Sequence, residues 1–135
     1  ATVMLVLTFA GVACSSGGGD KDKEAKASTT APEEHQAPAA EVTAGLTTIN
    51  STAAQIALAT GADSRSAKEL NDSIEPAWEK IEGTIRSNDA DLYIRFEDDF
   101  AALGKAVSAG DSAKAQSTAA DIADAVKAYQ AKFPG

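Results

Sequence analysis

The chain of 135 residues contains one cysteine and one histidine. A single Cys excludes a disulfide within the chain and any CxxC metal or redox site. A single His excludes a multi-His metal centre and leaves one conceivable Cys–His pair, Cys14 with His35. Aromatics make up only 5% of the residues, so a core must be built chiefly from aliphatic side chains and Ala. Basic residues are also short, at 12 Lys and Arg against 20 Asp and Glu, for a net charge of −8. That balance argues against nucleic acid as a partner, because phosphate binding needs a basic surface.

What is present is more specific. Hydrophobic residues account for 44% of the chain, and Ala occurs 30 times, an excess that favours close-packed helices over sheets. The length allows one small domain plus tails.

Residues Ala1 to Ala13, ATVMLVLTFAGVA, carry no charge. As a helix they would span about 20 Å, short of a hydrocarbon core of roughly 30 Å. Their length suits the apolar region of a secretory signal. The positive leader expected before such a region is missing, as is an initiator Met, so the expectation is a chain truncated at its start. The run ends in Gly11-Val12-Ala13-Cys14, followed by Ser15-Ser16-Gly17-Gly18-Gly19. These residues resemble the lipobox of bacterial lipoproteins, and the Ser/Gly run resembles those of Gram-positive bacteria. The resemblance implies that the Cys14 thiol receives a diacylglycerol, that Cys14 becomes the mature N-terminus, and that acyl chains such as palmitate anchor the protein to the outer side of the cell membrane. Two or three acyl chains hold a protein stably where one does not. The other reading of these residues is an ordinary cleaved signal followed by a Cys.

From Ser15 to Ala40 no apolar residue larger than Ala occurs. Such a stretch buries too little surface to offset the entropy of ordering, and the expectation for residues 14–40 is a lipidated Cys on a disordered linker. A coil of this length reaches roughly 25–30 Å. His35 stands in this linker beside Glu33 and Glu34 and reads as a solvated residue.

From Glu41 the apolar period is helical. Four stripes follow one another: Val42, Leu46, Ile49, Ala53, Ile56 and Thr60; Leu70, Ile74, Trp78, Ile81 and Ile85; Leu92, Phe96, Phe100, Leu103 and Val107; and Ala115, Ala119, Ile122, Val126, Tyr129 and Phe133. Gly61 and Gly110 suit helix stops, and Asp111 suits an N-cap. The connections expected at Gly61–Ser64, Ser87–Asn88 and Gly110–Asp111 are short, which forces antiparallel neighbours. The expected fold of residues 41–135 is therefore all-α, an up-down-up-down four-helix bundle about 30 Å long. Pro76 lies inside the second stripe and should kink that helix or restart it, with Asp72 or Ser73 as cap.

Catalysis finds little support. No Gly-rich phosphate loop occurs, and no nucleophile and base are paired by spacing. The reading is a non-catalytic protein that binds something or supports an envelope assembly. The carboxylates supply the alternative. Glu75, Glu79 and Glu82 stand at i, i+4 and i+7, one helix face. Asp89, Asp91, Glu97, Asp98 and Asp99 form a second acidic group on the next helix. Facing carboxylates hold hard cations such as Ca²⁺, or iron in helical bundles. The other reading of these groups is a solvated flank with Lys80, Arg86 and Arg95 interleaved. The stretch Ile74-Glu75-Pro76-Ala77-Trp78-Glu79-Lys80-Ile81-Glu82 resembles segments in the extracellular helical domains of bacterial iron-uptake systems, the oxidase-linked iron permeases and their lipoprotein partners. That resemblance implies Glu75, Glu79 and Glu82 as ligands of a divalent cation or iron, in an accessory of an uptake system. The His-x-x-Glu pair of the imelysin-like members is absent.

Overall fold

The computed structural model describes residues 36–135, all within a unit spanning Pro32–Gly135. The expectations for Cys14, for His35 and for the apolar run before them fall outside the described residues. What is described is all-helical, and no strand occurs among the described residues.

The first stripe forms α1, Ala39–Ala59, about 31 Å long. The third forms α5, Ala90–Ala109, and the fourth forms α6, Ser112–Lys132. The second stripe does not form one helix. It is divided into α2, Ser64–Asp72, α3, Ile74–Trp78, and α4, Glu82–Asn88. Four continuous helices are therefore not what the chain builds. It builds three long helices and a segmented arm.

The first break has the cause the sequence suggests, displaced by three residues. Pro76 has no N–H to give to the Asp72 carbonyl, so the helix ends at Asp72 and restarts at Ile74. Pro76 then sits in the first turn of α3, where an N–H would have no helical partner. Ser73 does not cap the restart. Its hydroxyl donates backwards to the Leu70 carbonyl at 2.7 Å. The second break, at Glu79–Ile81, involves no proline. It aims neighbouring core residues at different helices: Trp78 meets the aromatic side chains of α5, while Ile81 presses on α1 at Gly45. A Cβ on Gly45 would lie 3.0 Å from Ile81 Cδ1, so the missing side chain permits that approach.

Every stripe position is buried except Leu70, Phe100, Ala119 and Phe133, which are half-buried and pack against the core. α1 packs on α2, α3 and α6, and α5 packs on α6, α4 and α2. The large rings gather between α3 and α5. Trp78 is 5.2 Å from both Phe96 and Phe100 and stacks at 5.9 Å on Tyr93.

The turns follow local chemistry. Gly110 takes φ +64°; its N–H bonds to Val107, and the Asp111 N–H bonds back to Ala106 at 2.9 Å, the paired closure of a Schellman stop. Asp111 then caps α6 by accepting from the Lys114 N–H. Asp63 caps α2 through the N–H groups of Arg65 and Ser66. The joint between α4 and α5 is Asp89 alone, one residue beyond the expected turn.

Linker and domain meet earlier than the expected boundary. α1 begins at Ala39, and Ala37 is buried. Its N–H donates to Thr84 Oγ1 at 2.7 Å, and the Thr84 hydroxyl lies 3.2 Å from the Ala37 carbonyl. The residues before α1 thus contribute to the core, contrary to a linker running to Ala40. This end also carries the C-terminus of α6, tied by Lys132 to Asp89 and by Tyr129 to Asn88.

Candidate functional site

The segmented arm and α5 border an open cleft. Asp72 ends α2, Ile74 and Glu75 open α3, and Glu97 and Phe100 lie one turn apart on α5. With Asn71 and Gly104 they line a cleft of about 490 Å³. Its floor includes the buried Ile74 and the half-buried Phe100, and its rim carries carboxylates. The break at Ser73 positions that rim, because it ends one helix on Asp72 and starts the next on Ile74-Glu75.

Glu97 is fixed in direction. The indole N–H of Trp78 donates to Glu97 Oε1, tying an exposed carboxylate on α5 to the most buried ring of α3. Sequence spacing places Glu97 in a separate acidic group. Only the packing of α3 on α5 shows that it belongs with Glu75. Glu82 registers the gathering. Partial burial pushes its carboxyl above the ordinary value, and the negative charges of Glu97, Glu75 and Glu79 push in the same direction. Glu82 thus lies within reach of the charges of Glu75 and Glu79, across the turn between α3 and α4. Glu75 and Glu79 are exposed and Glu82 is half-buried.

Tyr93 completes this face. Burial raises its phenol pKa, Glu97 and Glu82 raise it further, and Arg86 opposes them. The Arg86 guanidinium lies over the Tyr93 ring, 5.3 Å from its centre.

The second acidic group disperses. Asp89 is the N-cap of α5, accepting from Leu92 N at 3.0 Å, and it pairs with Lys132 at 2.7 Å. Those bonds, the one from Lys132 foremost, hold its carboxyl below the ordinary value. Asp99 faces Arg95 at 3.8 Å, and burial pushes its carboxyl upward against that charge. Asp98 lines a different hollow together with Lys105 and Lys114. Asp91 belongs to the first turn of α5, where a negative charge favours the helix.

Among the described residues no group of three or more His, Cys, Asp or Glu side chains is placed to hold a metal ion. Glu75, Glu79 and Glu82 share a field without converging on a point. Comparison with known protein families, curated proteins and solved structures yields no match to this chain. A fixed carboxylate, further carboxylates around a rim and a hydrocarbon floor can receive a positive charge carried on an apolar body.

Proposed function

We propose that this chain is a lipid-anchored extracytoplasmic protein whose acidic helical domain binds a ligand and performs no catalysis. The observation that carries the reading is Cys14, the only cysteine, standing where thirteen uncharged residues give way to a polar stretch. A diacylglycerol thioether on Cys14, reinforced by a further acyl chain, would hold the protein at the outer membrane surface. Among the described residues no helix is long and apolar enough to cross a membrane, which is compatible with attachment through lipid. The fold fits a four-helix bundle whose second helix is divided, with α2, α3 and α4 together filling one position. Non-catalytic is part of the proposal: Cys14 is given to lipid and His35 to the linker, which removes the one Cys–His pair the composition allows.

The cation-uptake reading keeps one supporting observation, the nearness of Glu75, Glu79 and Glu97 to Glu82, whose charges add to the effect of burial in raising the Glu82 carboxyl. It lacks a converging donor set among the described residues, and we place it second.

The anchor is tested by changing Cys14→Ser in the full-length precursor and labelling cells with a radioactive fatty acid. The wild type should carry label and sediment with membranes, and the variant should lose both properties. Label retained in the variant, or absent from the wild type, would remove the lipoprotein reading.

A further inference from the structure

We propose that the cleft between the segmented arm and α5 binds a small polyamine, a ligand with two or more ammonium groups joined by methylene spacers. The inference rests on the domain being a binding module and is independent of the anchor, which fatty-acid labelling decides separately. Three features of the cleft select this ligand. The first is size: about 490 Å³ lies within the range of small-molecule sites. The second is charge. Asp72, Glu75 and Glu97 supply the charged lining, and no Lys or Arg lines the cleft. Glu97 is held toward α3 by the Trp78 indole N–H, so one carboxylate is positioned before any ligand arrives. The third is the distribution of that charge. A metal ion draws oxygens to within about 2.6 Å of one point, and no described group of side chains is so placed. A chain of ammonium groups asks for the opposite arrangement, with carboxylates spread around a hydrocarbon floor that receives the spacers. Ile74 and Phe100 provide that floor.

Gly104 points the same way from a different side. Glycine is a poor helix former, yet Gly104 lies in the interior of α5 without a positive φ. A Cβ there would meet only the Asn71 amide, at 3.6 and 3.8 Å, which is ordinary contact. Helix packing therefore does not require the glycine. Its effect is to leave the cleft floor open.

The test is calorimetric titration of the full chain with spermidine. NaCl and MgCl₂ at matched ionic strength, and a tri-lysine peptide, serve as controls. Saturable binding of one spermidine per chain is expected. It should weaken at least tenfold in the Asp72→Asn/Glu75→Gln double variant and disappear in Gly104→Leu, whose side chain would fill the floor. Glu41→Gln/Glu69→Gln removes the same charge from exposed positions outside the cleft and should leave affinity within twofold. Should Gly104→Leu fail to fold, the comparison of the two double variants decides alone. Equal weakening in both double variants, heat reproduced by MgCl₂ at matched ionic strength, or undiminished binding to a folded Gly104→Leu would overturn the site. Tighter binding of tri-lysine than of spermidine would replace the small ligand by a basic protein partner and overturn the ligand class.

Discussion

Replacing Gly45 and Gly104 each by Ala should move stability in opposite directions. Both lie inside long helices, where Ala is favoured over Gly by about 0.5–1 kcal/mol. At Gly104 that gain meets no opposition, since the added methyl touches only the Asn71 side chain at 3.6 Å or more. Gly104→Ala should stabilise by about 0.5–1 kcal/mol. At Gly45 the methyl would stand 3.0 Å from Ile81 Cδ1 and 3.1 Å from Cγ2. Rotation about χ2 can move Cδ1, but moving Cγ2 requires χ1 of a β-branched residue that is only 1% exposed. Overpacking of this kind costs about 1–3 kcal/mol, which exceeds the propensity gain and leaves a net loss of about 1 kcal/mol. For a domain of this size 1 kcal/mol shifts Tm by about 4–8 °C, so thermal melts followed by circular dichroism separate the two variants. The decisive measurement is a double-mutant cycle with Ile81→Ala. With Ile81 truncated the obstruction is gone, and Gly45→Ala should become stabilising by about 0.5–1 kcal/mol. If Gly45→Ala stabilises the wild type as Gly104→Ala does, Ile81 does not press on α1, and the reason given for the turn at Glu79–Ile81 is wrong.

Other outcomes follow from the same structure. Trp78→Ala should cost about 3–5 kcal/mol, as for other large buried aromatics, and native fluorescence should be that of a water-shielded indole; emission like free tryptophan would contradict the core assignment. The Glu82 carboxyl sits above its ordinary value of 4.5 in the folded chain, so stability linked to its protonated form is present below that value and declines as pH rises through the folded pKa. Glu82→Gln should remove that decline from urea midpoints measured between pH 4 and 7; an unchanged profile would show that neither burial nor its neighbours raise the Glu82 carboxyl. Titration of the full chain with Ca²⁺, Mn²⁺ and anaerobic Fe²⁺ should give no saturable heat, whereas one ion per chain, lost when Glu75, Glu79 and Glu82 are all changed to Gln, would restore the cation reading.

The long helices are legible in the sequence because their information is local. Spacings of three and four, the Asp111 cap and the Gly110 stop suffice to place the three long helices and the turn between α5 and α6. The segmented arm is legible only in part. Pro76 announces a break through its missing N–H. The turn at Glu79–Ile81 leaves no mark in the pattern, because Trp78, Ile81 and Ile85 are all buried and keep the apolar period running across it. What sets the turn is the shape of the partner, a notch at Gly45 two elements away, and sequence periodicity carries no term for that. The same blindness hides Ala37, which is small, lies in a polar context and is buried in the core with its peptide group bonded to the Thr84 hydroxyl.

The acidic residues separate by the same principle. Glu75, Glu79 and Glu82 are readable as a row because helical spacing puts them there, and burial foremost, then the charges of Glu97, Glu75 and Glu79, raises the Glu82 carboxyl. Asp89 looks equivalent in sequence, but it occupies a helix start facing Lys132, and its charge is consumed by capping and pairing. Asp99 is drawn off by burial, which raises its carboxyl despite Arg95 at 3.8 Å. Glu97 moves the other way: its indole partner on α3 carries no charge, so the bond from Trp78 orients the carboxylate without neutralising it. Opposite charge cancels an acidic group, whereas a neutral donor fixes it in place and leaves its field intact. That difference, invisible in a count of carboxylates, is why the acidic character of α5 concentrates at the cleft and is spent at the Asp89 end.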